Sequence, residues 1–110
     1  MRGAVIAESL ADSRALNAVR VTSLEVTPEE NVVERWHIFS VEADSAGVIA
    51  IAAAIKPGWY AHFWDGNRVT VVFSDGALSF SKDDAAGRAA AVERGLAHGI
   101  PAEQLDFKTN

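Results

Sequence analysis

The chain contains no cysteine, which removes disulfides, thiolate metal ligands and cysteine nucleophiles at once. A basic stripe is missing too: ten Lys and Arg lie scattered among fifteen Asp and Glu in 110 residues, for a net charge of -5. With no patch to neutralise a phosphate backbone, nucleic acid is not an expected partner. Long apolar runs are absent as well. The longest, Val48 to Ile55, falls far short of the ~20 residues that a membrane span requires. The short apolar stretch ahead of Glu8 is too brief for a secretion-signal core. A cytoplasmic protein with no membrane partner is the expectation. No motif with a known reaction mechanism is present, and any chemistry must rest on histidines, carboxylates or hydroxyls.

What is present is the composition of an ordinary folded domain, 49% hydrophobic and 23% charged, long enough for one core and too short for two. A single α+β domain over residues 1–110 is expected. Ala4 to Ala7 is apolar and β-branched, as a central strand buried on both faces should be. Leu10 to Arg20 fits a short helix or an ordered loop, and Thr27 to Glu30 a single turn. Val32 to Ala43 alternates and predicts a long strand. From Asp44 or Ser45 the period changes: Val48, Ile51, Ala52 and Ile55 fall on one helical face, until Pro57-Gly58 stops the helix.

Trp59 to Trp64, Arg68 to Ser74 and Ala77 to Ser81, separated by Asp65-Gly66-Asn67 and Asp75-Gly76, predict a three-stranded meander. A second helix follows, with Ala85, Ala89, Val92 and Leu96 as its apolar face and Gly99 as its αL cap. Pro101 to Leu105 fits one more turn, with Leu105 and Phe107 as plugs for the edge of the core. The order of elements predicts an antiparallel sheet with its helices on one face, an α+β sandwich of the ferredoxin-like (α/β plait) class.

Parity fixes the faces of the meander. With Asp75-Gly76 as a two-residue turn, Ser74 pairs with Ala77 and Phe73 with Leu78. Either possible turn after Trp64 places Tyr60, His62 and Trp64 with Val69, Val71 and Phe73, because a register shift of two preserves the face. That face, completed by Leu78 and Phe80, is the expected helix-covered core. The opposite face offers Ala61, Phe63 and Val72 as an uncovered patch, read as the interface of a homodimer.

Several words of the sequence carry a resemblance: ESL at Glu8 to Leu10, WH at Trp36 and His37, KPGWYAHFW at Lys56 to Trp64, VVF at Val71 to Phe73, and IPAEQLDF at Ile100 to Phe107. The set is similar to a family of small uncharacterised prokaryotic proteins. The resemblance runs the length of the chain and implies no activity.

The stretch from Lys56 to Phe73 concentrates two of the three tryptophans and the only tyrosine. Tyr60, His62, Trp64, Trp36 and Lys56 are the candidate ligand-binding residues: aromatic walls, an imidazole that titrates near neutrality, and a cation at the mouth. His62, with His37 and the Tyr60 hydroxyl, is the candidate for acid–base chemistry. The plainer reading of His62 is a neutral, half-buried ring bonded to a carbonyl or carboxylate. His37 and His62 with Glu8 or Asp106 could form a two-histidine, one-carboxylate metal set, but no ligand spacing in the sequence supports it. No metal or cofactor is therefore expected. His98 reads as a cation at a helix C-terminus. A ligand-binding or self-associating module is the leading expectation, with a small enzyme using His62 and a divalent-metal protein as alternatives.

Overall fold

In a computed structural model, which describes residues 1–109, the first strand is the one on which the sheet is assembled. Strand β1 (Arg2–Ile6) lies between β3 (His37–Glu42) and β4 (Tyr60–Asp65), and is antiparallel to both. Outward from β3 comes β2 (Arg20–Val26), and outward from β4 come β5 (Arg68–Phe73) and β6 (Gly76–Ser81). The result is one six-stranded antiparallel sheet in the order β2-β3-β1-β4-β5-β6. Helices α1 (Ser45–Ala54) and α2 (Ala85–Ala97) complete the α+β fold, with 3-10 turns at Ala7–Ser9, Ser13–Ala18 and Ala102–Gln104.

The helices lie on opposite faces of the sheet, not on one face as the order of elements suggested. Connectivity explains this. Because β3 and β4 are both antiparallel to β1, they run parallel to each other, and α1 is the crossover that joins them past β1. Its Ile51 and Ile55 meet Val5, Val41, Ala61, Phe63 and Val72 in one core. Helix α2 follows β6 and closes a second core with Val69, Val71, Phe73 and Phe80. Ala61, Phe63 and Val72, expected as an uncovered dimer surface, are thus 1%, 0% and 0% exposed beneath α1. The strand order β2-β3-β1-β4-β5-β6 also departs from the ferredoxin-like expectation, and β2 lies where the sequence pattern predicts no strand.

Strand β2 escapes a periodicity search because its alternation is broken. Val21 pairs with Val41 but Ser23 with Ser40, so Thr22 is the extra residue of a bulge and the pattern changes phase there. The Thr22 hydroxyl donates to the Ser40 carbonyl at 3.0 Å. The long strand expected over Val32 to Ala43 is correspondingly shorter, since Val32 to Trp36 belong to the β2–β3 connection. There the Asn31 carboxamide accepts the Val33 N–H at 3.0 Å and the Arg35 guanidinium donates to the carbonyls of Glu29 and Glu30, both at 2.8 Å. These side chains satisfy backbone groups that a ladder would otherwise have used.

Helix α1 starts from Asp44, one of its two expected caps, whereas α2 starts from Asp84 and not from Ser81, whose spacing to Asp84 resembles a capping box. Asp44 Oδ1 accepts the Gly47 N–H at 2.8 Å, and Asp84 Oδ1 accepts that of Gly87 at 3.0 Å. The buried face of α2 is another matter. Ala85, Ala89 and Leu96 are exposed, while Ala91 and Gly95 are buried. The helix approaches so closely that a Cβ at Gly95 would fall 2.5 Å from Leu105 Cδ2, and one at Gly87 2.6 Å from the Cβ of Phe80. Small residues, not large ones, mark the face that packs. In the second hairpin Phe73 pairs with Gly76, so Ser74-Asp75 is the turn and the register lies two away from the expected one. Parity is unchanged, and every face assignment in the meander holds.

Candidate functional site

The residues expected to form one aromatic and histidine site are divided among three places. His62 projects from β4 toward the α2 side, where the chain after α2 crosses above it. Only 7% of His62 is exposed, and its Nε2–H donates to the Lys108 carbonyl at 2.6 Å. The ring stacks on Trp64 at 5.2 Å between centroids. Burial pushes the imidazole pKa down, opposed by the Lys108 carbonyl and the charge of Asp106. The Tyr60 hydroxyl donates to the Gln104 carbonyl, and burial first, then the charge of Asp106, holds its pKa above the usual phenol range. Both groups are held by the backbone of the C-terminal segment. Among the described residues, no buried side-chain nitrogen or oxygen lacks a partner. His62 and Tyr60 therefore serve as anchors for that segment.

A pH prediction follows from this burial. The folded-state pKa of His62 lies below the 6.5 of an ordinary histidine, so the unfolded chain takes up the proton first. The stability is fully present above that value and is lost as pH falls from it toward the lowered folded pKa. Urea titrations across this range should show falling stability, and His62→Gln, whose amide can donate to the same carbonyl, should flatten that part of the profile. An NMR titration of the His62 ring should give a midpoint below 6.5.

His37 does not join His62. Ser40 and His62 both pair with Ala4 and so share a face, which places His37, three residues before Ser40 in β3, on the opposite face. Its partner is Glu8, whose carboxylate accepts the His37 backbone N–H at 2.7 Å and lies 2.8 Å from the ring Nδ1. Burial would raise the Glu8 pKa, but the His37 hydrogen bonds outweigh it and hold the carboxyl below its usual value. Trp36 and Trp59 meet edge to face beside this pair, 5.4 Å apart. Lys56 belongs to the same end of the sheet, through its backbone N–H to the Ser9 carbonyl at 2.8 Å. Neither His37 nor Glu8 lines the open concave surfaces at the other end of β1. Among the described residues, no three His, Asp or Glu side chains converge as a metal site.

A second histidine–carboxylate pair was not legible in the sequence. His98, at the C-terminal end of α2, lies with Nε2 2.9 Å from Asp75 Oδ1 in the β5–β6 turn, and its ring stacks on Phe73 at 5.2 Å and 2°. Arg94 donates to the same oxygen at 3.2 Å. Burial would raise the Asp75 pKa, but these partners hold it low. The helix dipole gave a reason for His98 to be cationic, but nothing in the sequence pointed to the turn.

The open concavity is at the other end of β1. A cross-strand row runs Arg20, Glu42, Arg2, Trp64 and Val69, all on the α2 side of the sheet. Helix α2 and the C-terminal segment cover only the β4–β6 half of that face, so half-buried Trp64 stands at the step between covered and open sheet. Two concave surfaces meet there. One, of about 730 Å³, is lined by Arg2, Arg20, Glu42, Trp64, Asp65 and Lys82 among others. The other, of about 220 Å³, lies over Gly3, Thr22 and Ser40 and shares Arg2, Glu42 and Trp64. Arg20 pairs with Glu42 at 3.2 Å, whereas Arg2 and Lys82 form no ion pair among the described residues. Of the candidate ligand-binding residues, Trp64 alone lines this groove. Arg2, Arg20 and Lys82 were missed because isolated basic residues far apart in sequence give no signal until the strands align them. Comparison of the chain with protein-family models, with curated proteins and with solved structures gives no match.

Proposed function

We propose that this protein is a small-ligand-binding module and that its site is the groove at Trp64. The observation that carries this reading is the pairing of Arg2 directly opposite Trp64. It places a guanidinium without an ionic partner, among the described residues, beside an indole at the wall of an open groove. The volume of about 730 Å³ falls in the range of small-molecule sites. Trp64 offers a flat apolar wall, and Arg2 and Lys82 offer two cations without an ion-pair partner among the described residues, in a lining that also carries Glu42, Asp44 and Asp65. A compact molecule with a planar apolar part and a carboxylate or phosphate group fits this chemistry. His62 contributes from behind, as the ring on which Trp64 stacks.

The test is a ¹⁵N-resolved NMR titration with benzoate and phenyl phosphate as probes. Saturable shifts should centre on the Trp64 indole N–H and the backbone amides of Arg2 and Glu42. Arg2→Gln, which changes an exposed side chain and leaves the fold alone, should weaken binding roughly tenfold, as expected for loss of a charge-assisted hydrogen bond. Shifts confined to the Glu8–His37 end, or none that saturate at millimolar probe, would overturn the assignment.

A further inference from the structure

The other feature without an explanation is β2. It is an edge strand, and all seven of its residues are exposed. Val21, Leu24 and Val26 are 43%, 51% and 45% exposed on its α1 side. Long apolar edges invite pairing with another chain, and proteins that remain monomeric usually cover or charge them. The bulge decides which residues share a face. With Thr22 as the extra residue, Arg20, Ser23 and Glu25 align with Glu42, Ser40 and Ile38 on one face, and Val21, Leu24 and Val26 with Val41, Phe39 and His37 on the other.

This pattern is self-complementary. A two-fold axis perpendicular to the sheet through Ser23 sets Ser23 against its own copy. It then brings Arg20 opposite Glu25 of the second chain and Val21 opposite Leu24, each with its partner on the matching face. Opposite charges meet on one side and apolar side chains on the other, the combination that stabilises cross-strand neighbours. The geometry points to a homodimer in which β2 pairs antiparallel with β2 of a second copy, extending the sheet across a two-fold axis. The self-associating surface is therefore the edge of the sheet and not the Ala61, Phe63 and Val72 face, which α1 fills. Such an interface is isologous, as closed dimers require.

Charge exchange tests it without disturbing either core. Sedimentation velocity of the intact chain should show a dimer. Arg20→Glu alone sets Glu against Glu at both symmetry-related pairs and Glu25→Arg alone sets Arg against Arg, so each should raise the dimer dissociation constant roughly tenfold or more. Mixing the two variants in equal amounts should restore a dimer, because every cross-strand pair is then again of opposite charge, and restoration also shows that both variants are folded. The double variant Arg20→Glu/Glu25→Arg should dimerise by itself. A monomer at high concentration, or a dimer indifferent to both single exchanges, would overturn the proposal. Neither result would bear on the NMR test of the groove, which uses the unsubstituted chain and Arg2→Gln and not a variant at Arg20, itself a lining residue.

Discussion

Phe107→Ala is expected to destabilise the protein by roughly 3–5 kcal/mol, the range for losing a buried phenyl ring. Phe107 is 1% exposed and stands edge-on to Tyr60 at 5.5 Å, with Phe80 at 6.0 Å. Together with Ile100 and Leu105 in the same core and the hydrogen bonds from Tyr60 and His62, it anchors the segment after α2 over β4. It is also the one non-glycine residue with positive φ among those described, at 48°, a conformation that costs an L-residue about 1 kcal/mol. Packing therefore holds a strained backbone in place. Phe107→Gly loses the same ring but relieves the strain, so its loss should be smaller than that of Phe107→Ala, opposite to the usual ranking of glycine and alanine. Urea denaturation of the two variants gives the comparison directly. Loosening the seal should also admit water to His62, and its NMR midpoint should rise back toward 6.5, because burial is the largest cause of its depression.

How far the sequence reveals this molecule depends on whether the signal is local. The meander was legible in detail because parity survives a register error: Ser74-Asp75 replaced Asp75-Gly76 as the turn and no side chain changed face. The Asp44 cap and the Gly99 stop, at φ 81, were legible for the same reason, since each depends on a few adjacent residues, whereas the cap of α2 is Asp84 and not the Ser81 that a capping-box spacing suggests. Strand β2 was hidden by a single inserted residue, Thr22, because a bulge erases the period on which strand recognition depends. The placement of α1 against Ala61, Phe63 and Val72 was a question of long-range connectivity, and no local pattern distinguishes a mixed strand face that a helix covers from one that water covers. The site was hardest of all. His62 and Trp64 were noticed for their chemistry, but only the strand order sets Trp64 beside Arg2 and moves His37 to the far face. The histidines drew attention by residue type, whereas the open groove was marked by arginines whose significance is purely positional.

Phe63→Ala provides the other large expected effect and decides between core and surface for the face that the sequence left open. Phe63 is 0% exposed among Val5, Val41, Ile51 and Val72, so its truncation should cost roughly 3–5 kcal/mol. An exposed position of the same kind would lose within about 0.5 kcal/mol. The reason the ring fits lies across the ladder. Gly3 is directly opposite Phe63, and a Cβ on Gly3 would fall 2.3 Å from the ring Cδ1 and 2.7 Å from Cε1. The phenyl ring occupies the space that the missing side chain leaves. Gly3→Ala in the native background should therefore destabilise by about 1–3 kcal/mol through overpacking, although alanine normally improves a strand by about 0.5–1 kcal/mol over glycine. With Phe63→Ala already present the clash is gone, and the same Gly3→Ala change should become neutral or stabilising, since the new methyl fills part of the cavity. A double-mutant cycle in urea measures the coupling, expected to be large for residues in contact. Additive single effects would show that Phe63 does not lie over Gly3 and would remove the central contact on which the β1–β4 face is built.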